Sequence, residues 1–254
     1  MSTVAQRSRT LTLLAAGVSD VGRYRRHNED RFLVHADGTL LVVADGMGGH
    51  ASGDVAATLT TGVFEERARA ASPASLANEE AVKQWLIANV SAAHTKVENH
   101  AQATHGCQGM GTTVVAVAYF LEEVHVVHVG DSRLYRLRAG TFEQLTQDHS
   151  LVEDAIRMGQ LKREDAKNFP YRNVITRSVG QKAVADHKQF SPQPGDVLLL
   201  CSDGLCGVVP DNEIADILKG AASGNLSTIC DELITAANNA GGPDNITAVV
   251  GLFE

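Results

Sequence analysis

Four aspartates in the sequence lie at the ends of apolar segments, three of them next to a glycine and the fourth two residues after one. They are Asp45 after residues 40–44, Asp131 after 126–130, Asp203 after 197–202 and Asp244 before a segment that begins at Ile246. A single aspartate in such a place is usually a turn residue or a helix cap. The repetition predicts instead that the carboxylates meet at one edge of the sheets.

Carboxylates that lie a few ångströms apart cannot all remain ionised without a counter-charge, and a divalent cation supplies one. Oxygen ligands without cysteine or histidine at metal-binding spacing favour Mg²⁺ or Mn²⁺ over Zn²⁺. Glu29 and Asp30 add further acids, and Arg25 and Arg26 add adjacent cations. Phosphoryl-transfer chemistry requires this combination of metal-binding acids and an arginine that binds an anion.

The hydrophobic pattern predicts the elements that must position these residues. Strands are predicted at residues 11–18, 31–35, 39–44, 113–120, 124–129, 133–137, 142–145, 196–201 and 246–253. Helices are predicted at 51–70, from the N-cap Asn78 to about Val97, and at 150–159, 162–167, 211–219 and 226–239. Short connections indicate antiparallel pairing. Residues 113–120 are apolar on both faces, so we expect one domain with sheets inside and helices outside.

The composition disfavours several classes of function. The 254 residues carry 22 Lys and Arg against 30 Asp and Glu, a net charge of −8 that is atypical of nucleic-acid-binding domains. The longest nearly apolar segment, residues 112–121, is too short to span a bilayer. Residues 11–17 resemble a short signal-peptide core, but we interpret them as the first strand. Four cysteines without metal-finger spacing suit a reducing cytoplasm.

Six short motifs follow one another along the chain. In order they are Arg25-Arg26-His27-Asn28-Glu29-Asp30, Val43-Ala44-Asp45-Gly46-Met47-Gly48-Gly49-His50, Gly109-Met110-Gly111-Thr112-Thr113, Val129-Gly130-Asp131-Ser132-Arg133, Cys201-Ser202-Asp203-Gly204-Leu205 and Asp244-Asn245-Ile246-Thr247. Each motif alone is a weak signal, but six in this order are specific. From about Val18 to Phe253, the chain resembles the metal-dependent protein phosphatases of type 2C in their compact bacterial form.

The resemblance implies a set of metal ligands. Asp45 would bridge two Mn²⁺ or Mg²⁺ ions. Glu29 and the carbonyl of Gly46 would bind one ion, and Asp203 and Asp244 would bind the other.

The resemblance also assigns residues around those ligands. Asp131, together with Asp203, matches a third-ion site of the bacterial members. Arg25 would bind the substrate phosphate, and His50 would act as general acid toward the leaving alkoxide. Asp30 would orient metal-bound water from behind the ligands.

A fold and an activity follow from the same resemblance. The implied fold is α+β, a four-layer α-β-β-α sandwich of two antiparallel sheets flanked by antiparallel helix pairs. It would form one catalytic domain over residues 1–254, with a flap at about 146–180. The implied activity is hydrolysis of phosphoserine and phosphothreonine on proteins, by direct attack of a metal-bridging water. The implied enzyme is a cytoplasmic monomer whose partners are phosphorylated proteins, among them a serine/threonine kinase and its targets.

One departure from the family pattern concerns the flap. Phe169-Pro170 stands where many bacterial members have His-Pro, which affects the substrate contacts expected there and none of the metal ligands.

Three alternatives compete with this interpretation. Residues 46–51 fit the glycine pattern of dinucleotide sites, but the region around Glu65-Glu66 is predicted as helix, where that site needs a second strand. A phosphoprotein-binding pseudophosphatase should lack at least one metal acid, whereas all five acids of the implied ligand set are present. A partner-switching phosphatase that serves one regulatory protein remains within the same reaction class.

Overall fold

The structure, a computed structural model, describes residues 11–48, 52–72, 74–171 and 173–254. Its strands are β1 (Leu13–Asp20), β2 (Asp30–Val34), β3 (Leu40–Met47), β4 (Gly111–Thr112), β5 (Val114–Phe120), β6 (Glu123–Val129), β7 (Arg133–Arg138), β8 (Thr141–Gln144), β9 (Asp186–Phe190), β10 (Val197–Cys201) and β11 (Ile246–Phe253). Its helices are α1 (Gly53–Ala70), α2 (Glu79–Ala103), α3 (Leu151–Arg157), α4 (Asp203–Cys206), α5 (Asp211–Leu218) and α6 (Leu226–Asn239), with a 3₁₀ helix at Arg163–Asn168.

The strands form two antiparallel sheets. One sheet has the order β1-β11-β10-β7-β8, and the other has the order β2-β3-β5-β6-β9 with β4 paired to β3. All strand pairs are antiparallel. The pairing predicted from the short connections is confirmed.

Three hydrophobic cores hold the two sheets and their helices together. Leu41, Val117, Leu198 and Val249 belong to the core between the sheets. A second core joins the sheet that contains β3 and β5 to α1 and α2. A third joins the sheet that contains β10 and β11 to α4, α5 and α6. The sequence of layers is therefore helix, sheet, sheet, helix, as the four-layer prediction requires.

Strand β5 explains why a sequence that is apolar on both faces is needed inside this sandwich. Val115 and Val117 contribute to the core between the sheets. Val114 and Ala116 point the other way and contribute to the core under α1 and α2. Because successive side chains of a strand alternate between faces, a strand covered on both sides has no polar face.

The predicted start of α2 is confirmed in detail. The Asn78 side chain accepts a hydrogen bond from the backbone N–H of Ala81 at 2.9 Å, and Glu79 and Glu80 occupy the first turn. Both features stabilise a helix N-terminus, because they satisfy a free N–H group and complement the helix dipole.

The first strand, β1, pairs with β11 along its whole length, from Leu13 to Asp20. This confirms residues near 11–17 as part of a strand. Among the helices of the described residues, none combines the length and the apolar character that crossing a bilayer would require.

Candidate metal centre

One cleft of about 380 Å³ collects the acids that the sequence predicts as metal ligands. Its lining includes every predicted metal ligand and the predicted phosphate-binding arginine: Arg25, Glu29, Asp45, Gly46, Asp131, Asp203 and Asp244. Asp45 is part of β3, Asp131 follows β6, Asp203 begins α4, and Asp244 precedes β11. Strand ends from both sheets therefore meet at one edge of the sandwich. His50 lies outside the described residues.

Burial and like charge raise the pKa values of the clustered acids. Burial, reinforced by Asp30 and Asp203, raises the pKa of Asp45 well above its ordinary value. Burial and the charge of Asp203 raise the pKa of Asp131 to about 7. The pKa of Asp203 and that of Glu29 are raised as well, first by burial. A divalent cation would relieve this repulsion, and the all-oxygen donor set fits Mg²⁺ or Mn²⁺.

Asp30 lies behind the acids of the cleft and is 2% exposed. Its Oδ2 accepts a hydrogen bond from the Ser202 hydroxyl at 2.7 Å, and that hydroxyl oxygen accepts from the Thr247 N–H at 3.0 Å. Its Oδ1 is buried and makes no hydrogen bond to any described group. Burial raises the pKa of Asp30 to about 6. A buried carboxylate oxygen without a protein partner suits the predicted role of orienting water near a metal ion.

The backbone of Asp45 is held by two threonines of a neighbouring segment. Its N–H donates to Oγ1 of Thr113 at 3.0 Å, and its carbonyl accepts from the Thr113 N–H at 2.9 Å. The same carbonyl accepts from the hydroxyl of Thr112 at 2.9 Å. These contacts fix the direction of the strand at the predicted bridging ligand. Both threonines belong to the sequence motif Gly109-Met110-Gly111-Thr112-Thr113, which by itself does not indicate this role.

The end of β3 and the start of α1 approach so closely that only glycine fits. A Cβ atom on Gly46 would lie 2.2 Å from the carbonyl oxygen of Gly53, and one on Gly53 would lie 2.4 Å from Oε2 of Glu29. The Gly46 backbone and the Glu29 carboxylate are thereby brought to the same side of the cleft. These are the two groups predicted to share one metal ion.

Arg25 and Glu29 belong to a loop that is anchored by Asn245, the residue after Asp244. The Asn245 side chain is 5% exposed and forms three hydrogen bonds to the loop backbone. Its Oδ1 accepts from the Glu29 N–H at 2.8 Å, and its Nδ2 donates to the carbonyls of Val21 and His27 at 2.9 Å. Sequence reasoning assigned no role to Asn245. Its place in the motif Asp244-Asn245-Ile246-Thr247, next to a predicted ligand, is the signal that the sequence offers.

The segment predicted as a flap contributes Asn173 and Ile175 to the lining of the cleft. It contains α3 and the 3₁₀ helix. Its two ends are joined at the base, where the Thr176 N–H donates to the His149 carbonyl at 2.7 Å and the Leu151 N–H donates to the Val174 carbonyl at 2.9 Å.

A second group of titratable side chains is distinct from the lining of the cleft. One ligand atom from each of His128, His149 and Asp186 lies within 4.8 Å of the other two. The imidazole rings are stacked, with centroids 4.6 Å apart and an interplanar angle of 12°. Stacked rings direct their in-plane lone pairs side by side, whereas a metal ion needs them to converge.

A cation of the protein already fills this second group. Nη1 of Arg177 donates to Oδ1 of Asp186 at 2.7 Å, and Nδ1 of His149 accepts from the Gly130 N–H at 3.1 Å. Burial lowers the pKa of both His128 and His149. We interpret the group as a hydrogen-bonded tie between the flap ends and the sheet, and the acidic cleft remains the candidate metal centre.

Comparisons with known proteins agree with the geometry. The sequence model of the family described as Protein phosphatase 2C matches residues 23–235. The serine/threonine phosphatase stp of Listeria welshimeri is 39% identical over 237 residues, which cover 91% of this chain and 92% of that protein.

Solved structures give the same result. A serine/threonine phosphatase of S. agalactiae superposes with a TM-score of 0.87 at 32% identity, over 95% of this chain and 100% of that one. The catalytic domain of the phosphatase PstP in complex with two manganese ions superposes with a TM-score of 0.84 at 33% identity, over 96% of this chain and 99% of that one. The family match over most of the chain, together with the fold and the acidic cleft, establishes that this chain belongs to the protein phosphatase 2C family.

Proposed function

We propose that the acidic cleft is the catalytic centre of a metal-dependent protein phosphatase that hydrolyses phosphoserine and phosphothreonine monoesters. The observation that carries the proposal is the convergence of five acids with Arg25 on one cleft. The raised pKa values of Asp45 and Asp131 support it, because acids held together in this way need a cation. Relatives at 35–39% identity are named as protein phosphatases, which gives the class of substrate.

In this proposal Asp45 would be a ligand of both ions, Glu29 and the Gly46 carbonyl would hold one of them, and Asp203 and Asp244 would hold the other. Asp131 would serve a third ion together with Asp203. Mn²⁺ or Mg²⁺ fits the oxygen donors, and the solved PstP domain contains two manganese ions. When bound, the ions would neutralise the phosphate and lower the pKa of a water molecule that attacks phosphorus.

Three further residues would bind the substrate phosphate, orient water or donate a proton. Arg25 carries a guanidinium into the cleft, where two parallel N–H groups can hold two phosphate oxygens. Asp30 keeps its Oδ1 available to accept a hydrogen bond from water, while Ser202 fixes its Oδ2. For His50 we propose the role of general acid toward the departing alkoxide, on the basis of the family resemblance.

The setting of the reaction is part of the proposal. We propose one catalytic domain that acts as a monomer in the cytoplasm, where its four free cysteines would stay reduced. Its partners would be phosphorylated proteins, including a serine/threonine kinase and the targets of that kinase. Size-exclusion chromatography with light scattering tests the monomer, because a mass of about twice 27.0 kDa would contradict it.

The central test is phosphate release from a phosphothreonine peptide. We expect release with Mn²⁺, none with EDTA, and none with the Asp45→Asn variant. A matched variant, Asp37→Asn, changes an aspartate that does not line the cleft and should retain full activity. Release that persists in EDTA, or with Asp45→Asn in Mn²⁺, would contradict the proposal. Binding of the peptide without any release would indicate a phosphoprotein-binding relative that has lost turnover.

A further inference from the structure

Two of the four cysteines lie on either side of Asp203, which is proposed to bind metal ions. Cys201 is the last residue of β10, and Cys206 is the last residue of α4, the short helix that begins at Asp203. Cys201 is fully buried in the core that joins the sheet to α4, α5 and α6, and Cys206 is half-buried at the edge of that core. The proposed ligand therefore belongs to a short segment with a thiol at each end.

The two thiols are also neighbours in space. A hydrogen bond to the Cys206 thiol, together with burial, raises the pKa of the Cys201 thiol well above its ordinary value. The Cys206 thiol in turn donates to the carbonyl of Ser202 at 3.6 Å. Both cysteines are free in this structure, so the contact between them is non-covalent.

The two thiols differ in their access to small molecules. Cys206 lines an open cavity of about 680 Å³ beside the metal cleft, together with Asp203 and Gly207. Cys201 is 0% exposed and does not line that cavity. A small neutral oxidant would therefore reach the Cys206 sulfur first, and the oxidised sulfur would form next to the Cys201 thiol. An accessible thiol beside a second, resolving thiol is the usual arrangement of a redox-sensitive cysteine pair.

We propose that Cys201 and Cys206 form a disulfide when the protein meets hydrogen peroxide, and that this bond inactivates the catalytic centre. The effect on activity rests on the proposed function, whereas formation of the bond does not. In a reducing compartment such bonds are usually transient and serve catalysis or redox sensing. Thiol reductants would therefore restore the active enzyme.

The reaction proceeds in two steps. The Cys206 sulfur attacks one oxygen of hydrogen peroxide, the O–O bond breaks, and Cys206 becomes a sulfenic acid as one water leaves. The Cys201 sulfur then attacks the sulfenic sulfur, an S–S bond forms, and the hydroxyl group leaves with the Cys201 proton as a second water. The two sulfur atoms together lose two electrons, and these electrons reduce hydrogen peroxide to water.

The segment between the cysteines is packed too closely to absorb this bond without moving Asp203. A Cβ atom on Gly204 would lie 1.9 Å from the carbonyl oxygen of Asn245, so the backbone of α4 already touches its neighbour. The Gly207 N–H donates to the Asp203 carbonyl at 2.7 Å. Bonded sulfur atoms lie closer together than thiols in contact, so the bond draws the ends of β10 and α4 together. A shift of about 1 Å in a catalytic group can lower a rate about a hundredfold.

The disulfide can be detected directly by mass spectrometry. Trypsin cleavage after Lys188 and Lys219 leaves both cysteines in one peptide, residues 189–219, which contains no other cysteine. The whole chain is treated with hydrogen peroxide in Mg²⁺, quenched with catalase, alkylated with iodoacetamide and digested. We expect this peptide to lose two hydrogen atoms and to resist alkylation. After dithiothreitol it should be alkylated at both cysteines.

Activity provides the second measurement. Oxidised wild type should release phosphate from a phosphothreonine peptide about tenfold or more slowly than untreated protein, and dithiothreitol should restore the rate. The recovery separates the disulfide from oxidation of Met47, which lines the metal cleft, because methionine sulfoxide needs a dedicated reductase. Calorimetry should show weaker Mn²⁺ binding by the oxidised protein, since Asp203 is a proposed ligand.

Cys206→Ser and Cys107→Ser are matched variants. Cys206→Ser retains a hydroxyl that can donate to the Ser202 carbonyl, so its untreated activity should equal that of the wild type. Peroxide should no longer cause a loss that dithiothreitol reverses. Cys107 is also half-buried, but it packs against the core under α1 and α2. Cys107→Ser should therefore be inactivated and restored as the wild type is.

The outcomes separate this inference from the proposed function. A peptide 189–219 that remains fully alkylated after peroxide treatment would overturn the disulfide proposal. A disulfide that leaves activity unchanged would overturn the proposed inactivation, as would equal reversible losses in Cys206→Ser and the wild type. Untreated wild type that releases no phosphate with Mn²⁺ or Mg²⁺ would instead refute the proposed function, and the peptide masses would still decide whether the disulfide forms.

Discussion

Arg25 and Asp244 form an ion pair in which Nη2 donates to Oδ2 at 2.7 Å. The arginine that is proposed to bind the substrate phosphate is therefore paired with an aspartate that is proposed to bind a metal ion. The two side chains are 53% and 36% exposed, and ion pairs at such exposure contribute about 0–1 kcal/mol. Because the pair is weak, the arginine can leave the carboxylate at little cost when a phosphate enters the cleft. The contact positions Arg25 at the mouth of the site without immobilising it.

The first prediction concerns this arginine. Arg25→Ala should raise KM for a phosphothreonine peptide at least tenfold and lower kcat less, because the guanidinium contacts phosphate in both the ground and the transition state. Arg25→Lys should restore only part of the loss, since a single ammonium cannot form two parallel hydrogen bonds. Arg26, which is exposed and does not line the cleft, provides the control Arg26→Ala. An unchanged KM in Arg25→Ala would show that Arg25 does not contribute to substrate binding.

A second prediction separates function from stability at Asp45. Asp45→Asn should abolish turnover, because the proposed bridging carboxylate is lost. The same change should raise the melting temperature of the metal-free protein, because burial and neighbouring acids raise the pKa of Asp45 and make its charge unfavourable. Differential scanning calorimetry in EDTA measures the second effect. A metal-free variant that melts below the wild type would contradict the electrostatic account of the cleft.

The sequence predicted the parts of this fold that have a clear hydrophobic period. Strand β11 and helix α6 were predicted with the bounds that the structure has. Strand β9 was missed, because it is an edge strand of mostly polar residues that pairs only with β6. Helix α4 was missed because four residues are too few to display a helical period.

In the candidate site, too, some features could be predicted from the sequence and others could not. Four of its acids, Asp45, Asp131, Asp203 and Asp244, could be predicted because each one stands at the end of an apolar segment, a pattern that is visible in the local sequence. Glu29 does not show this pattern, and its role was implied by the family resemblance. The supporting hydrogen bonds could not be predicted. Asn245 and Glu29 are separated by 216 positions, and the bond from Ser202 to Asp30 spans 172. Only the folded arrangement of the two sheets brings such partners together.

The third prediction concerns pH and the metal-free protein. The pKa of Asp131 is raised to about 7, so the folded state binds more protons than the unfolded state between the ordinary pKa and about 7. Stability from this group is present at low pH and is lost as the pH rises through about 7. Buried His128 and His149 have lowered pKa values, so their contribution to stability increases as the pH rises. This increase is complete above about pH 6.5, the ordinary pKa of histidine.

Between pH 6.5 and 8 the melting temperature in EDTA should therefore fall, by an amount on the order of several degrees. Saturating Mn²⁺ should remove the fall, because the cation stabilises the ionised carboxylates. Asp131→Asn should reduce the slope. A metal-free melting temperature that rises across this range would show that the acids are not the dominant titrating groups.

The fourth prediction tests the proposed general acid. His50→Ala should slow hydrolysis of alkyl phosphates more than hydrolysis of aryl phosphates, because a basic leaving group needs a proton and a phenolate needs it less. The comparison uses phosphothreonine peptides against para-nitrophenyl phosphate under the same metal concentration. Equal losses on the two substrates would exclude proton donation by His50.

The final prediction concerns Asn245 as a positioning residue for the loop that contains Arg25 and Glu29. Asn245→Ala removes three buried hydrogen bonds to the loop backbone and should cost about 1–3 kcal/mol of stability. If Asn245 had a purely structural role, only the stability would change. Because the bond to Glu29 fixes a proposed ligand, we also expect Mn²⁺ affinity measured by calorimetry to fall about tenfold or more. Asn239→Ala, at the exposed end of α6, is the control. Unchanged affinity in a folded Asn245→Ala protein would limit this residue to stability alone.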